Sequence, residues 1–228
     1  MTSSSLGPSG PQQRSPRGAQ QRSPQQRSPR GPYKKGIERR REVVSVAMEV
    51  FGRHGFKGGT LQQVAERVGL TPAAIIKLFG SKERLLIAVL EHWDVVTSEV
   101  IGSPNRGYEL LDAFKKLMNY HTQHRGLLEL YTTMAAEATS VDHPAHQFMT
   151  ERYRATLATM RGLFRDAVED GRFRPMTEGE VSGEAECLLA TMDGLEIQFL
   201  LNPAFDLERS FAAFVDRLVA RLSLAGPS

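Results

Sequence analysis

"TLQQVAERVGLTPAAIIKLFGSKE", Thr60–Glu83, is the stretch that decides the fold. Thr60 followed three residues later by Gln63 spells a capping box, in which hydroxyl and amide each satisfy an orphan N–H of a helix start. Leu61, Val64, Ala65 and Val68 then fall on one helical face, and Gly69 supplies a left-handed stop. Thr71 caps a second short helix, with Pro72 at the first position, where its missing N–H costs nothing. Gly80 closes that helix. Two short helices joined by "VGLT" form a helix-turn-helix candidate over 60–79. The second helix, "PAAIIKLF", carries a single charge, Lys77. Its spacing places Ile75, Leu78 and Phe79 on a stripe that packs inward and leaves Ala73, Ala74 and Lys77 on another face. Small apolar side chains there can touch thymine methyl groups, and Lys77 can reach a guanine edge or a phosphate.

Upstream, "IERRREVVSVAMEVFGRHG" sets Ile37, Val44, Ala47, Met48 and Phe51 at helical spacing, with Gly52 and Gly55 ending the pattern. Before it, residues 1–36 repeat "QQRSP" three times and hold nothing large to bury, so this segment is expected to be a disordered tail. Downstream, Ser81 caps a long helix. Beyond Gly102–Gly107 helical patterns cover 108–124, 127–139, 144–170, 178–200 and 207–222, with breaks at Arg125–Gly126 and Asn202–Pro203 among others. No alternating strand pattern appears. The expected class is all-α: a three-helix head at 37–97, then a helical bundle at 98–228, about nine helices in total.

The charge is uneven. The 228 residues carry a net charge of +3, but residues 1–36 hold seven Lys and Arg with no acid, and the acidic excess lies beyond residue 97. A basic front suits a polyanion partner. One cysteine, Cys187, excludes a disulfide framework and a Cys-based zinc cluster. No apolar run reaches a membrane span and no secretory h-region opens the chain, so a cytoplasmic protein is expected. Phosphate-loop, HExxH and GxSxG motifs are absent, which argues against an enzyme.

The set "A…FxxxGF", "T-L-x-x-V-A", "G-L-T" and "I-x-x-x-F-x-S-K-E-x-L", over roughly Ile37–Asp94, resembles the DNA-binding head of TetR-type transcriptional regulators. "VDHPAHQFMTERYR" and "MDGLEIQFLLNP" resemble that family's seventh and eighth helices. The resemblance implies a homodimer that reads a pseudo-palindromic operator in double-stranded DNA, usually as a repressor. A small-molecule effector in the 98–228 domain would release it. Lys82 matches the family's phosphate-contacting lysine. At Ile76 and Leu78 the family often carries aromatics that this chain lacks.

Thr60 and Thr71 cap helices and present N–H groups to phosphate. Arg39, Arg40 and Arg41 can track the backbone or enter the minor groove together with the tail. Met118, Tyr131, Met134, Glu137, Tyr153 and Asp193 suit an effector pocket, Met and aromatic with a few polar groups. Gly194 inside a helix suggests close helix–helix approach, and with Ile197, Phe211 and Phe214 it is the expected dimer contact. The pairs His121/His124 and His143/His146 have metal-ligand spacing but read as surface or capping residues, so neither a metal nor a cofactor is expected. The competing reading is a non-enzymatic helical interaction module with a basic arm.

Overall fold

The computed structural model describes residues 31–102 and 106–224. Among these residues run nine helices: α1 (Gly31–Gly58), α2 (Leu61–Val68), α3 (Pro72–Phe79), α4 (Lys82–Ile101), α5 (Glu109–Gln123), α6 (Arg125–Glu137), α7 (His146–Glu169), α8 (Glu178–Leu201) and α9 (Leu207–Leu222). They contain no strand; a single β-bridge joins Phe173 to Ser223.

The caps form as the residue types demand. The Thr60 hydroxyl accepts from the Gln63 N–H while the Gln63 side chain accepts from the Thr60 N–H at 2.7 Å. Gly69 is left-handed (φ 64°) and its N–H returns to the Ala65 carbonyl. Thr71 accepts from the Ala74 N–H at 3.2 Å, and Ser81 accepts from the Arg84 N–H at the same distance. One hydrophobic core runs from the head into the bundle. In the head, Val43, Ala47, Phe51, Val64, Ala65, Ile75, Leu85 and Leu86 are essentially inaccessible.

Four expectations change. The tail was expected to extend to residue 36, but residues 31–36 already belong to α1, since a proline in a first helical turn forfeits no hydrogen bond; residues 1–30 lie outside the described residues. Gly52 does not end α1. A Cβ there would stand 2.7 Å from the Gly126 carbonyl oxygen, so Gly52 marks the crossing where the α1 and α6 backbones nearly touch. The break expected at Arg125–Gly126 accordingly falls on His124 alone (φ −124°, ψ 51°). And α4 runs unbroken across the boundary placed between 97 and 98.

Gly55 does interrupt α1, at φ 67° and ψ 175°, a region essentially reserved for glycine. A Cβ would also lie 2.6 Å from Glu137 Oε1. Gly55→Ala is therefore expected to lower stability by about 2 kcal/mol in denaturant unfolding. An unchanged midpoint would contradict the strain.

Candidate nucleic-acid face and internal cavity

Helix α3 has two sides of opposite character. Ile75 and Phe79 are buried, and Leu78 packs half-buried beside them. Ala73, Ile76 and Lys77 point to solvent, with Ala74 and Pro72 at the edge of that face. Ile76 is 40% exposed. The one-turn spacing from Ala73 to Ile76 and Lys77 makes Ile76 part of the outward face, which the sequence pattern alone left unassigned. Thr60 and Thr71 are exposed at the two helix starts.

Arg39 and Arg41 lie along α1, Arg39 paired with Glu42 at 2.7 Å. Arg40 is committed differently. Its guanidinium donates to the Leu78 carbonyl at 2.6 Å and sits 4.2 Å over the Phe79 ring, so it fixes the C-terminal end of α3. Lys82 places its ammonium 4.4 Å above the Phe56 ring. Phe56 in turn donates its N–H to Glu137 Oε2 at 3.0 Å, and its ring meets His143 edge-on. His143 Nε2 stands 3.4 Å from Glu137 Oε2. Glu137 thus joins the head to the bundle; it borders an open groove beside Gly52 and Arg53 and lies outside the internal cavity where an effector was expected to meet it.

The pocket is a cavity of about 300 Å³ walled by α4, α5, α6, α7 and α8. Trp93 and Tyr131 stack at 4.6 Å. The Arg152 guanidinium lies 3.8 Å over Trp93 and forms an ion pair with Asp94. Burial pulls the Arg152 pKa down to about 10. Asp193 accepts from the Tyr153 hydroxyl at 2.8 Å and the Tyr131 hydroxyl at 3.4 Å. Burial raises the Asp193 carboxyl to about 6, against the pull of those phenols. It likewise pushes the Tyr131 and Tyr153 hydroxyls upward, Tyr153 to about 12. His121 Nδ1 and Glu196 Oε1 are 2.8 Å apart, both side chains buried. The outer nitrogen of His121 and the indole nitrogen of Trp93 are buried with no hydrogen-bond partner.

Of the expected pocket residues, Tyr131 and Asp193 line this cavity, and Tyr153 reaches it through Asp193. Met118 and Met134 are not among its lining residues; both are fully buried in the packed core. Sequence reasoning missed Trp93, Asp94, His121, Arg152 and Glu196. The available signal was Glu196, an acid inside the apolar run "GLEIQFLL". The histidine pairs separate into different roles. His121 faces Glu196, His124 stacks on Tyr120 at 3.8 Å, and His146 bonds the Ala138 carbonyl. No cluster of three metal-ligating side chains occurs among the described residues.

On α8, Cys187, Ala190, Ile197 and Leu201 are exposed and Gly194 is partly so, Leu201 at 81%. Their steps of three and four residues draw one apolar stripe along the helix. A Cβ on Gly194 would meet nothing in its own chain. On α9, Phe214 is half-buried, but Phe211 is wholly buried. The register of α9 turns Phe211, Val215 and Leu218 inward together, so Phe211 is a core residue and cannot contact a second subunit as expected.

No helix among the described residues is long and apolar enough to cross a membrane. The model for bacterial regulatory proteins of the tetR family matches residues 43–89, and the model for the C-terminal part of BetI-type transcriptional repressors matches 109–223. The HTH-type transcriptional repressor NicS of Pseudomonas putida is 26% identical over 149 residues, 62% of this chain and 67% of that protein. Among solved structures, SmeT in complex with triclosan superposes with a TM-score of 0.69 at 20% identity, covering 83% of this chain and 93% of that one. SmeT is the repressor of a Stenotrophomonas maltophilia multidrug efflux pump. A transcriptional regulator from Saccharomonospora viridis in complex with choline gives a TM-score of 0.70 at 19% identity, covering 83% and 100%. With family models matching both the head and the bundle, the chain belongs to the TetR family of bacterial regulatory proteins.

Proposed function

We propose that the chain is a homodimeric transcriptional repressor that binds a pseudo-palindromic operator and is released by a small organic cation. The observation that carries DNA binding is the two-sided α3: anchored by Ile75 and Phe79, and outward with Ala73, Ala74, Ile76 and Lys77. A face this poor in charge reads thymine methyl groups and groove shape, with Lys77 supplying its one polar base or phosphate contact. Grip comes from the N–H groups at the Thr60 and Thr71 helix starts, from Pro72 at the mouth of α3, and from Arg39, Arg41 and Lys82 on phosphates.

The α8 stripe of Ala190, Gly194, Ile197 and Leu201, with half-buried Phe214 on α9, supports dimerisation, because exposed apolar residues at helical spacing are covered when a second copy packs against them. The cavity supports an effector. Related folds hold ligands as different as triclosan and choline, so the lining of this chain must decide between them. Asp94, Asp193 and Glu196 share the cavity with Arg152 and with His121, which faces Glu196; Asp193 takes its hydrogen bonds from the Tyr131 and Tyr153 phenols and feels the Arg152 charge only at longer range. The cavity therefore favours positive charge on aromatic faces.

A gel shift with the DNA upstream of the chain's own coding region tests this reading. Retarded duplex released by choline is the expected result. No binding to any duplex would favour the interaction-module reading. Ile197→Glu together with Leu201→Glu is expected to halve the mass in light scattering and to weaken operator binding at least tenfold. A wild-type monomer would refute the dimer. Deleting residues 1–30, which hold five arginines, is expected to flatten the salt dependence by roughly one unit of slope for each phosphate no longer neutralised.

A further inference from the structure

We infer that Arg152 is a resident surrogate for the effector's cationic group, and that the effector acts by displacing it from Trp93 and Asp94. This rests on the cation-responsive reading above. The Arg152 guanidinium occupies the aromatic face a ligand cation would seek, 3.8 Å over Trp93 and 5.8 Å from the Tyr131 ring. It also holds the carboxylate that would receive the ligand's charge, Asp94. Both partners of that ion pair line the cavity. The cavity is thus partly self-satisfied: one carboxylate and one aromatic face are filled from within, while Asp193 is hydrogen-bonded by phenols and feels Arg152 only at longer range.

An entering monocation competes for the same two contacts. It has a second attraction in Asp193, and the unpartnered nitrogens of Trp93 and His121 can meet a polar group that it carries. The consequence is mechanical. Asp94 sits on α4, the helix that follows α3 after only Gly80 and Ser81, whereas Arg152 sits on α7. Breaking the pair removes a tie between α4 and α7, and α4 is then held less firmly to the bundle that sets the position of the head.

Trp93 is the only tryptophan, so its fluorescence in the full chain reports the site directly. The probes are choline, its uncharged isostere dimethylbutanol and the carboxylate dimethylbutanoate. The variants are Arg152→Met, which keeps the unbranched stem and loses the charged head, and Arg152→Lys, which keeps the charge and loses the planar stack. Folding is checked by circular dichroism. Wild type is expected to bind choline roughly thirtyfold more tightly than the isostere. Arg152→Met is expected to bind choline about tenfold more tightly than wild type, with Arg152→Lys gaining less. Ligand-free Arg152→Met should also hold the operator more weakly and respond little to added choline.

Choline binding by wild type without a gain in Arg152→Met overturns the surrogate role and leaves the cation reading intact. A gain confined to the variant supports the surrogate role even if wild type responds feebly. Binding of dimethylbutanoate that Arg152→Met abolishes makes Arg152 an anion receptor and overturns both. Silence of wild type and both variants toward choline up to tens of millimolar overturns both as well. Should Arg152→Met fail to fold, an Arg152→Lys affinity at or below that of wild type overturns the surrogate role.

Discussion

Ile75→Ala is expected to lower unfolding stability by about 3 kcal/mol, while Ile76→Ala, one residue away, changes it by less than about 0.5 kcal/mol. Ile75 is completely buried at the junction of α3 with the rest of the head, so truncation loses its transfer energy and leaves a cavity between elements that cannot close independently. Ile76 projects into solvent from the same helix and loses little on truncation. Operator binding is expected to separate the two differently. Ile76→Ala should lose affinity at full stability, because it removes an apolar contact to the groove, whereas Ile75→Ala should lose affinity because the helix is no longer held. Melting curves and gel shifts on the two variants check this. Equal destabilisation by both would mean that the two sides of α3 have been misassigned.

Asp193→Asn is expected to stabilise the ligand-free chain by about 1–2 kcal/mol at pH 8, with the gain fading toward pH 4.5. The sign follows from the direction of the shift. Burial, more than any other influence, raises the Asp193 carboxyl to about 6, above its ordinary value of 3.8. Between those values the folded chain binds more protons than the unfolded one, so the carboxylate's cost is absent at low pH and complete above the folded pKa. Asparagine never carries that cost, although it forfeits part of the hydrogen bonding to Tyr131 and Tyr153, which trims the gain. The same change should weaken choline binding about tenfold by removing a negative charge from the cavity. A variant that is more stable yet binds worse identifies Asp193 as a group kept for the ligand at the expense of the fold. Loss of stability at every pH would contradict this.

The head was legible in the sequence because its information is local. Thr60 with Gln63, Gly69, Thr71 with Pro72, and Ser81 each specify a helix end within four residues, and each cap forms. The spacing already sent Ile75 inward; what the pattern left open was Ile76, whose outward direction shows only in the folded helix. Gly52 and Gly126 misled for a related reason. In sequence a glycine marks a stop, but Gly52 lets α1 approach the Gly126 carbonyl of α6, more than seventy residues away, while a side chain at Gly126 itself would meet nothing. The cavity was least legible. Its walls come from five helices, and Trp93, Asp94 and Arg152 read singly as an aromatic in a long helix and two ordinary surface charges. Met118 and Met134 fitted a pocket by composition, but adaptable apolar side chains fill cores just as well. Phe211 and Phe214 share a helix, and only the register of α9 sends the first inward and leaves the second near the surface.

The central claim is that α3 of a symmetric dimer reads duplex DNA through Ala73, Ala74, Ile76 and Lys77. Selection of bound duplexes from a random pool by the full chain, repeated with Lys77→Ala, tests it most directly. The expected result is a pseudo-palindrome of two half-sites in which the variant relaxes preference at one symmetric pair of positions. Enrichment of no sequence, or of a site without twofold symmetry that Lys77→Ala leaves unchanged, would contradict it.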